Sequence, residues 1–127
     1  MKLIIAGCRY YNDYDIFKSI LDQYLKDLDL SKIEIVHGNA SGVDSMADRY
    51  ANERNIKVTK FPAYWKTFGK KAGPIRNRKM AAYGDYLIAF WDNKSRGTGN
   101  MIEEIRKLDK PHSVIYIVEV LAKELRI

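Results

Sequence analysis

Ser95, Arg96, Gly97, Thr98 and Gly99 set two hydroxyls, a guanidinium and flexible backbone between an apolar run and a helical repeat. A loop of this kind at a helix N-terminus offers backbone N–H groups and the positive end of a dipole to an anion, most simply a phosphate. Two other stretches have a related make-up. In Gly7-Cys8-Arg9 the glycine permits close backbone approach, and the arginine can take a phosphate in a bidentate fork. In His37-Gly38-Asn39-Ala40-Ser41-Gly42-Val43-Asp44 two glycines flank small polar residues ahead of a helical repeat, which suits a phosphate or a ribose. A fourth group, Gly73-Pro74 with Arg76, Asn77 and Lys79, brings further donors within about one turn of a helix start.

Each of these residues also has a plainer reading. Ser41 and Asp44 have the spacing of a capping box, and Asn100 with Glu103 repeats it. Arg9 fits a tight turn with a surface arginine, and Cys8 reads as a buried, inert thiol rather than a nucleophile. One cysteine and two histidines, His37 and His112, provide no metal-ligand spacing, so no metal is expected. The glycine fingerprint of dinucleotide enzymes and the lysine motif of P-loop ATPases are both missing.

The elements that must position these loops follow from periodicity. Short apolar runs at Leu3–Ala6, Ile33–Val36, Val58–Phe61, Tyr86–Trp91 and Val114–Val118 read as five strands. Between them Ile16 to Leu28, Val43 to Ala51, Pro74 to Tyr83 and Met101 to Leu108 repeat at helical spacing, and Glu119–Ile127 reads as a short terminal helix. Strands alternating with helices predict an α/β fold: a Rossmann-like three-layer sandwich, with a mostly parallel five-stranded sheet and helices on both faces. Ligands in such sheets sit at the carboxyl ends of the strands where the strand order reverses, so the loops after strands one, two and four should converge.

At 127 residues the chain is expected to be a single domain, residues 1–127. No apolar run is long enough to cross a membrane, no segment reads as a signal peptide, and a cytoplasmic protein is expected. Lys and Arg number 22 against 16 Asp and Glu, and the net charge of +6 favours an anionic partner. The basic residues gather at Lys66–Lys79, next to Tyr64, Trp65 and Phe68. These aromatics could be stacking platforms for single-stranded DNA, but their spacing favours core positions. Tyr10, Tyr11 and Tyr14 read as exposed and would suit an interface or a pocket wall equally well.

With Gly7-Cys8-Arg9, His37-Gly38 with Gly42 and Asp44, Tyr64-Trp65, Gly73-Pro74 with Arg76-Asn77, and Arg96-Gly97-Thr98 in this order, the chain resembles the SLOG superfamily. Within it the compact branch related to YspA and YpsA, found in bacteria and phages, is the best match. The resemblance spans Lys2 to about Val118, with LOG phosphoribohydrolases and DprA as more distant kin. It implies a pocket for a nucleotide or nucleotide-derived ligand, including cyclic or ADP-ribose-type signals, with no cofactor. Gly7, Arg9, His37, Gly38, Gly42, Asp44, Arg76, Asn77, Ser95, Arg96, Gly97, Thr98 and Gly99 are the ligand-binding candidates. The phosphate would lie at Gly97-Thr98. LOG enzymes cleave the N-glycosidic bond of nucleoside 5′-monophosphates, and Arg78-Lys79 resembles their arginine motif. The position of the LOG glutamate falls on Met101, which moves the expectation from hydrolysis toward binding. In the alternative, a phosphoribohydrolase, Asp44 or Glu103 is the catalytic carboxylate and Arg76 or Arg78 holds the phosphate. Single-stranded nucleic acid is the third partner considered, and the resemblance also implies a homo-oligomer.

Overall fold

The computed structural model describes residues 1–117. Five strands, β1 (Lys2–Gly7), β2 (Glu34–His37), β3 (Lys57–Lys60), β4 (Tyr86–Trp91) and β5 (His112–Tyr116), form one sheet in the order β3-β2-β1-β4-β5. All four neighbouring pairs are parallel, with Leu3 opposite Ile35 on one side and Tyr86 on the other. The helices are α1 (Tyr14–Leu25), α2 (Val43–Glu53), α3 (Trp65–Phe68), α4 (Ala72–Tyr83) and α5 (Arg96–Lys107). Short 3₁₀ turns at Leu30–Lys32 and Gly69–Lys71 were not foreseen. The expected terminal helix at Glu119–Ile127 lies outside the described residues.

The strands read as continuous apolar runs because both faces of the sheet are covered. Leu3, Ile5, Ile35, Ile88 and Phe90 meet Phe17 and Leu21 of α1 and Ala47 and Tyr50 of α2. Their neighbours Ile4, Ala6, Val36, Leu87 and Ala89 point the other way, onto Met80 of α4 and Met101, Ile102 and Ile105 of α5. Right-handed crossovers dictate this division: the chain runs from β1 out to β3 with helices on one face, then reverses to β4 and β5 with helices on the other. Fully burying each such side chain is worth about 1.5–3 kcal/mol, so the two half-cores hold the strand ends firmly. The reversal falls between β1 and β4, which pair from Leu3–Tyr86 to Gly7–Phe90.

Two helix starts differ from the sequence reading. Helix α4 begins at Ala72, two residues before Pro74, where the first-turn N–H groups need no partner and proline is tolerated. Helix α5 begins at Arg96 rather than Met101, with Ser95 as its N-cap, so Arg96, Gly97, Thr98 and Gly99 form its first turn. Asp92 drives this: Oδ1 accepts from the backbone N–H groups of Lys94 (2.9 Å) and Ser95 (2.7 Å), which turns the chain directly into the helix.

Candidate functional site

Three loops meet at the carboxyl ends of β1, β2 and β4. Cys8 N–H donates to Phe90 O at 3.2 Å, continuing the sheet pairing, and Val43 N–H donates to Cys8 O at 3.2 Å, joining the start of α2 to the same loop. Gly42 makes this approach possible. Its φ is +71°, and a Cβ there would lie 2.4 Å from both the Cys8 and Arg9 carbonyl oxygens. Gly7 is packed as tightly, with the position of a Cβ 2.6 Å from Val43 Cγ2. These two glycines therefore serve loop packing.

Above this junction lies a cleft of about 580 Å³ between the β1 and β4 loops, α4 and the first turn of α5. Of the candidates, Gly7, Arg9, Asp44, Arg76, Asn77, Ser95, Arg96, Gly97 and Thr98 line it. His37, Gly38, Gly42, Gly99 and Glu103 do not. Tyr10, Trp65 and Lys70 line it too: Tyr10 follows directly on Gly7-Cys8-Arg9, whereas Trp65 and Lys70 come from the crossover between β3 and α4 and were not singled out as pocket residues.

Asp44 is buried, and its Oδ2 accepts from Ala40 N–H at 3.1 Å, folding the β2 loop back over the start of α2. Burial pushes its carboxyl up, against the pull of that bond and of the nearby His37 and Arg76. The capping box expected of Ser41 and Asp44 is absent: Gly42 is the N-cap, and Ser41 Oγ donates to Arg9 O at 3.4 Å. His37 is buried below the loop. Its Nδ1 accepts from Asn39 N–H at 3.0 Å, which leaves the ring proton on Nε2 facing Asp48 Oδ1 at 2.9 Å. That hydrogen bond from His37 is the main reason the Asp48 carboxyl lies below its usual range.

Arg76 is the hub of the cleft. Nη1 donates to Gly38 O at 2.6 Å and Phe61 O at 3.3 Å, and Nε donates to Asn77 Oδ1 at 2.8 Å. Gly38 has no room for a side chain, since a Cβ would sit 2.3 Å from Arg76 Nη1. Burial lowers the guanidinium's pKa, with Asp44 acting against the shift. Asn77 spends its amide inside the protein: Nδ2 donates to Gly97 O at 3.1 Å and to Asn100 Oδ1 at 2.9 Å. Asn100, expected as a helix cap, is thereby a partner of Asn77 within α5. Arg78 points away from the cleft toward Glu104 at 3.8 Å, and Glu103 is exposed on α5.

The first intrahelical bond of α5 runs from Gly99 N–H to Ser95 O at 3.1 Å. The N–H groups of Arg96, Gly97 and Thr98 therefore precede the helical ladder, and all three residues line the cleft. Thr98 is buried at the cleft wall, and among the described residues no hydrogen bond uses its hydroxyl. Ser95 Oγ lies 3.1 Å from Asp92 Oδ2 and 3.3 Å from the buried Cys8 Sγ, while Tyr10 Oη donates to Asp92 Oδ2 at 2.8 Å. This network fixes the rim of the cleft.

The aromatics differ from the sequence reading. Tyr64, Trp65 and Phe68 are 60%, 48% and 44% exposed, because α3 is a single turn that packs little of its surface on the core. Trp65 is held at the cleft by Gly73, whose Cβ position would be 3.2 Å from Cη2, with Arg9 over its ring at 5.7 Å. Tyr11, read as exposed, is buried beside Phe90, while Tyr10 is exposed and Tyr14 half-buried. Among the described residues, no helix is long and apolar enough to cross a membrane, and no cluster of three His, Cys, Asp or Glu side chains is placed to hold a metal.

A parallel sheet ordered β3-β2-β1-β4-β5, with a crevice where the order reverses, is the architecture of the Rossmann-like α/β proteins. The chain belongs to the YspA, cpYpsA-related SLOG family, YAcAr, whose model matches residues 1–68. It is 33% identical over 118 residues to the Gene 61 protein of Mycobacterium phage D29, a match spanning 87% of this chain and 92% of that protein. DNA processing protein A (DprA) from Streptococcus pneumoniae shares the fold with a TM-score of 0.72 at 17% identity, over 89% of this chain and 49% of that one. DprA from Helicobacter pylori, whose structure was described for its single-stranded DNA binding mode, has a TM-score of 0.70 at 21% identity, over 98% and 73%. The chain thus spans about half of the streptococcal protein and about three quarters of the Helicobacter one.

Proposed function

We propose that the cleft binds a nucleotide or nucleotide-derived ligand, with a phosphate on the first turn of α5. The observation that carries this reading is the placement of Arg96, Gly97 and Thr98, the first turn of α5, in the wall of a cleft whose charged lining is Arg9, Lys70, Arg76, Arg96 and a single carboxyl, Asp44. Backbone donors and four cations in a partly enclosed site favour a multiply charged anion. Trp65 at the wall offers an indole face to a base. A shared fold with a protein described as binding single-stranded DNA agrees with a phosphate-bearing ligand.

A thermal-shift screen against nucleoside monophosphates, diphosphates, cyclic nucleotides and ADP-ribose tests it. A ligand at about 100 times its dissociation constant stabilises by about 2.7 kcal/mol, a shift of several degrees in a domain of this size. Absence of any shift at millimolar concentrations would exclude the reading.

Asp44 supports a second reading, N-glycosidic hydrolysis. It is the one carboxyl among the residues lining the cleft, and burial favours its protonated, acid form. Glycoside cleavage needs such a group to donate a proton or support an oxocarbenium-like transition state. Release of free base from AMP, followed by chromatography and lost in Asp44→Asn, is the result this reading requires.

A further inference from the structure

Between Glu53 and Asp85 the sequence carries nine Lys and Arg and no acidic residue, whereas the rest of the chain holds thirteen against sixteen. The positive charge of the protein is therefore concentrated in β3, α3, α4 and their connections. Several of these cations are neutralised from outside the segment: Arg54 by Asp22 (3.4 Å), Lys57 by Glu34 (3.2 Å), Lys60 by Asp48 (3.6 Å) and Arg78 by Glu104 (3.8 Å). Four exposed lysines remain, Lys66, Lys70, Lys71 and Lys79, which no ion pair engages among the described residues.

The same segment carries aromatic rings that the core leaves uncovered. Tyr64 and Phe68, at the two ends of α3, flank a hollow of about 250 Å³ with Pro62 and Ile75 as its apolar wall and Lys60 and Lys79 among its lining residues. Arg76 lines both this hollow and the main cleft, so the two adjoin at that side chain. We propose that this face, Tyr64 and Phe68 with Lys66, Lys70, Lys71 and Lys79, binds single-stranded nucleic acid, an unpaired base entering the hollow while the lysines follow the phosphates. The concavity decides between polyanions. A membrane surface wants rings protruding from one flat apolar face, and an acidic peptide makes no use of ring faces, whereas a hollow lined by two exposed rings together with Lys60, Arg76 and Lys79, in a segment with further unpaired lysines, matches unpaired bases on a charged backbone. The face shares Lys70 with the main cleft, but Tyr64, Lys66, Phe68, Lys71 and Lys79 lie outside that cleft, so the proposal can fail or hold independently of the nucleotide reading.

Fluorescence anisotropy with a labelled 20-mer of deoxythymidylate tests it, alongside co-sedimentation with vesicles of phosphatidylcholine and phosphatidylserine at 7:3. Four released counterions predict an affinity that falls about 50-fold between 50 and 200 mM salt. Tyr64→Ala and Phe68→Ala should each weaken binding about tenfold, and Lys66→Glu with Lys71→Glu should abolish it at 200 mM salt. All four positions are exposed, so the thermal midpoint and any nucleotide-induced shift should stay as in the parent protein. The proposal is overturned by no binding at 50 mM salt, by binding that ignores the Tyr64 and Phe68 substitutions, or by vesicle binding in place of oligonucleotide binding.

Discussion

The Asn77 side-chain amide donates to the Gly97 carbonyl oxygen at 3.1 Å, and through this bond α4 holds the first turn of α5 in place. The same side chain accepts from Arg76 Nε at 2.8 Å and reaches Asn100 Oδ1 at 2.9 Å. One buried amide therefore links the guanidinium on one wall of the cleft to the donor-bearing turn on the other.

Asn77→Ala should accordingly cost about 1–3 kcal/mol in denaturant unfolding, because Arg76 Nε and Asn100 Oδ1 lose a buried partner. Nucleotide affinity should fall as well, because Arg76 and the first turn of α5 lose their common support. A variant with wild-type stability and wild-type affinity would show that α4 does not hold the turn.

Gly42 and Gly97 should respond oppositely to alanine. At Gly42, φ is +71° and the new Cβ would meet two carbonyl oxygens at 2.4 Å, both of them backbone. Neither can move without separating the β1 loop from α2, so Gly42→Ala should destabilise by about 2 kcal/mol or more. Gly97 lies in the first turn of α5, where a Cβ meets nothing within 4 Å. There alanine should be neutral or stabilising by up to about 1 kcal/mol. Chemical denaturation of the two variants checks the pair.

The sheet was legible in the sequence because two covered faces leave strands as unbroken apolar runs, and the glycine-rich loops marked where the chain must turn tightly. The start of α5 was not. Gly97 and Gly99 imitate a loop, and what makes them helical is Asp92, three positions before Ser95, gathering the N–H groups of Lys94 and Ser95. Asn100 imitates a cap because its true partner, Asn77, is distant in sequence. The aromatics of α3 were weighed toward the core because spacing shows which residues share a face but not whether anything covers it. Trp65 and Lys70 reached the cleft through the crossover from β3 to α4, a tertiary placement that no local pattern encodes.

Asp92 gives the fold a defined response to acid. Burial alone would push its carboxyl up. The N–H groups of Ser95 and Lys94, with the hydroxyls of Tyr10 and Ser95, outweigh this and hold it far below the usual carboxylate range. Since the folded value is depressed, the stabilisation is present above the unfolded value of about 3.9 and is lost as the pH falls toward the folded one. Asp92→Asn should therefore be less stable than the parent by a constant margin between about pH 5 and 8, and the margin should narrow below about pH 4. Thermal melts across that range give the test, and a margin that widened in acid would contradict the assignment.

Thr98 separates a phosphate grip from a merely well-packed helix start. Its side chain is buried at the cleft wall, and its hydroxyl forms no bond among the described residues, so Thr98→Val keeps the shape and removes a donor that the fold does not use. Stability should change by less than about 1 kcal/mol. If the hydroxyl meets a phosphate, its loss should weaken nucleotide binding roughly tenfold or more, as expected for a hydrogen bond to a charged group. Arg96 is exposed at the cleft mouth, so Arg96→Ala should give a smaller loss that fades as salt is raised. Isothermal titration of both variants at two salt concentrations reads these effects together. Unchanged affinity in Thr98→Val would move the phosphate off the first turn of α5 and toward Arg9 and Arg76.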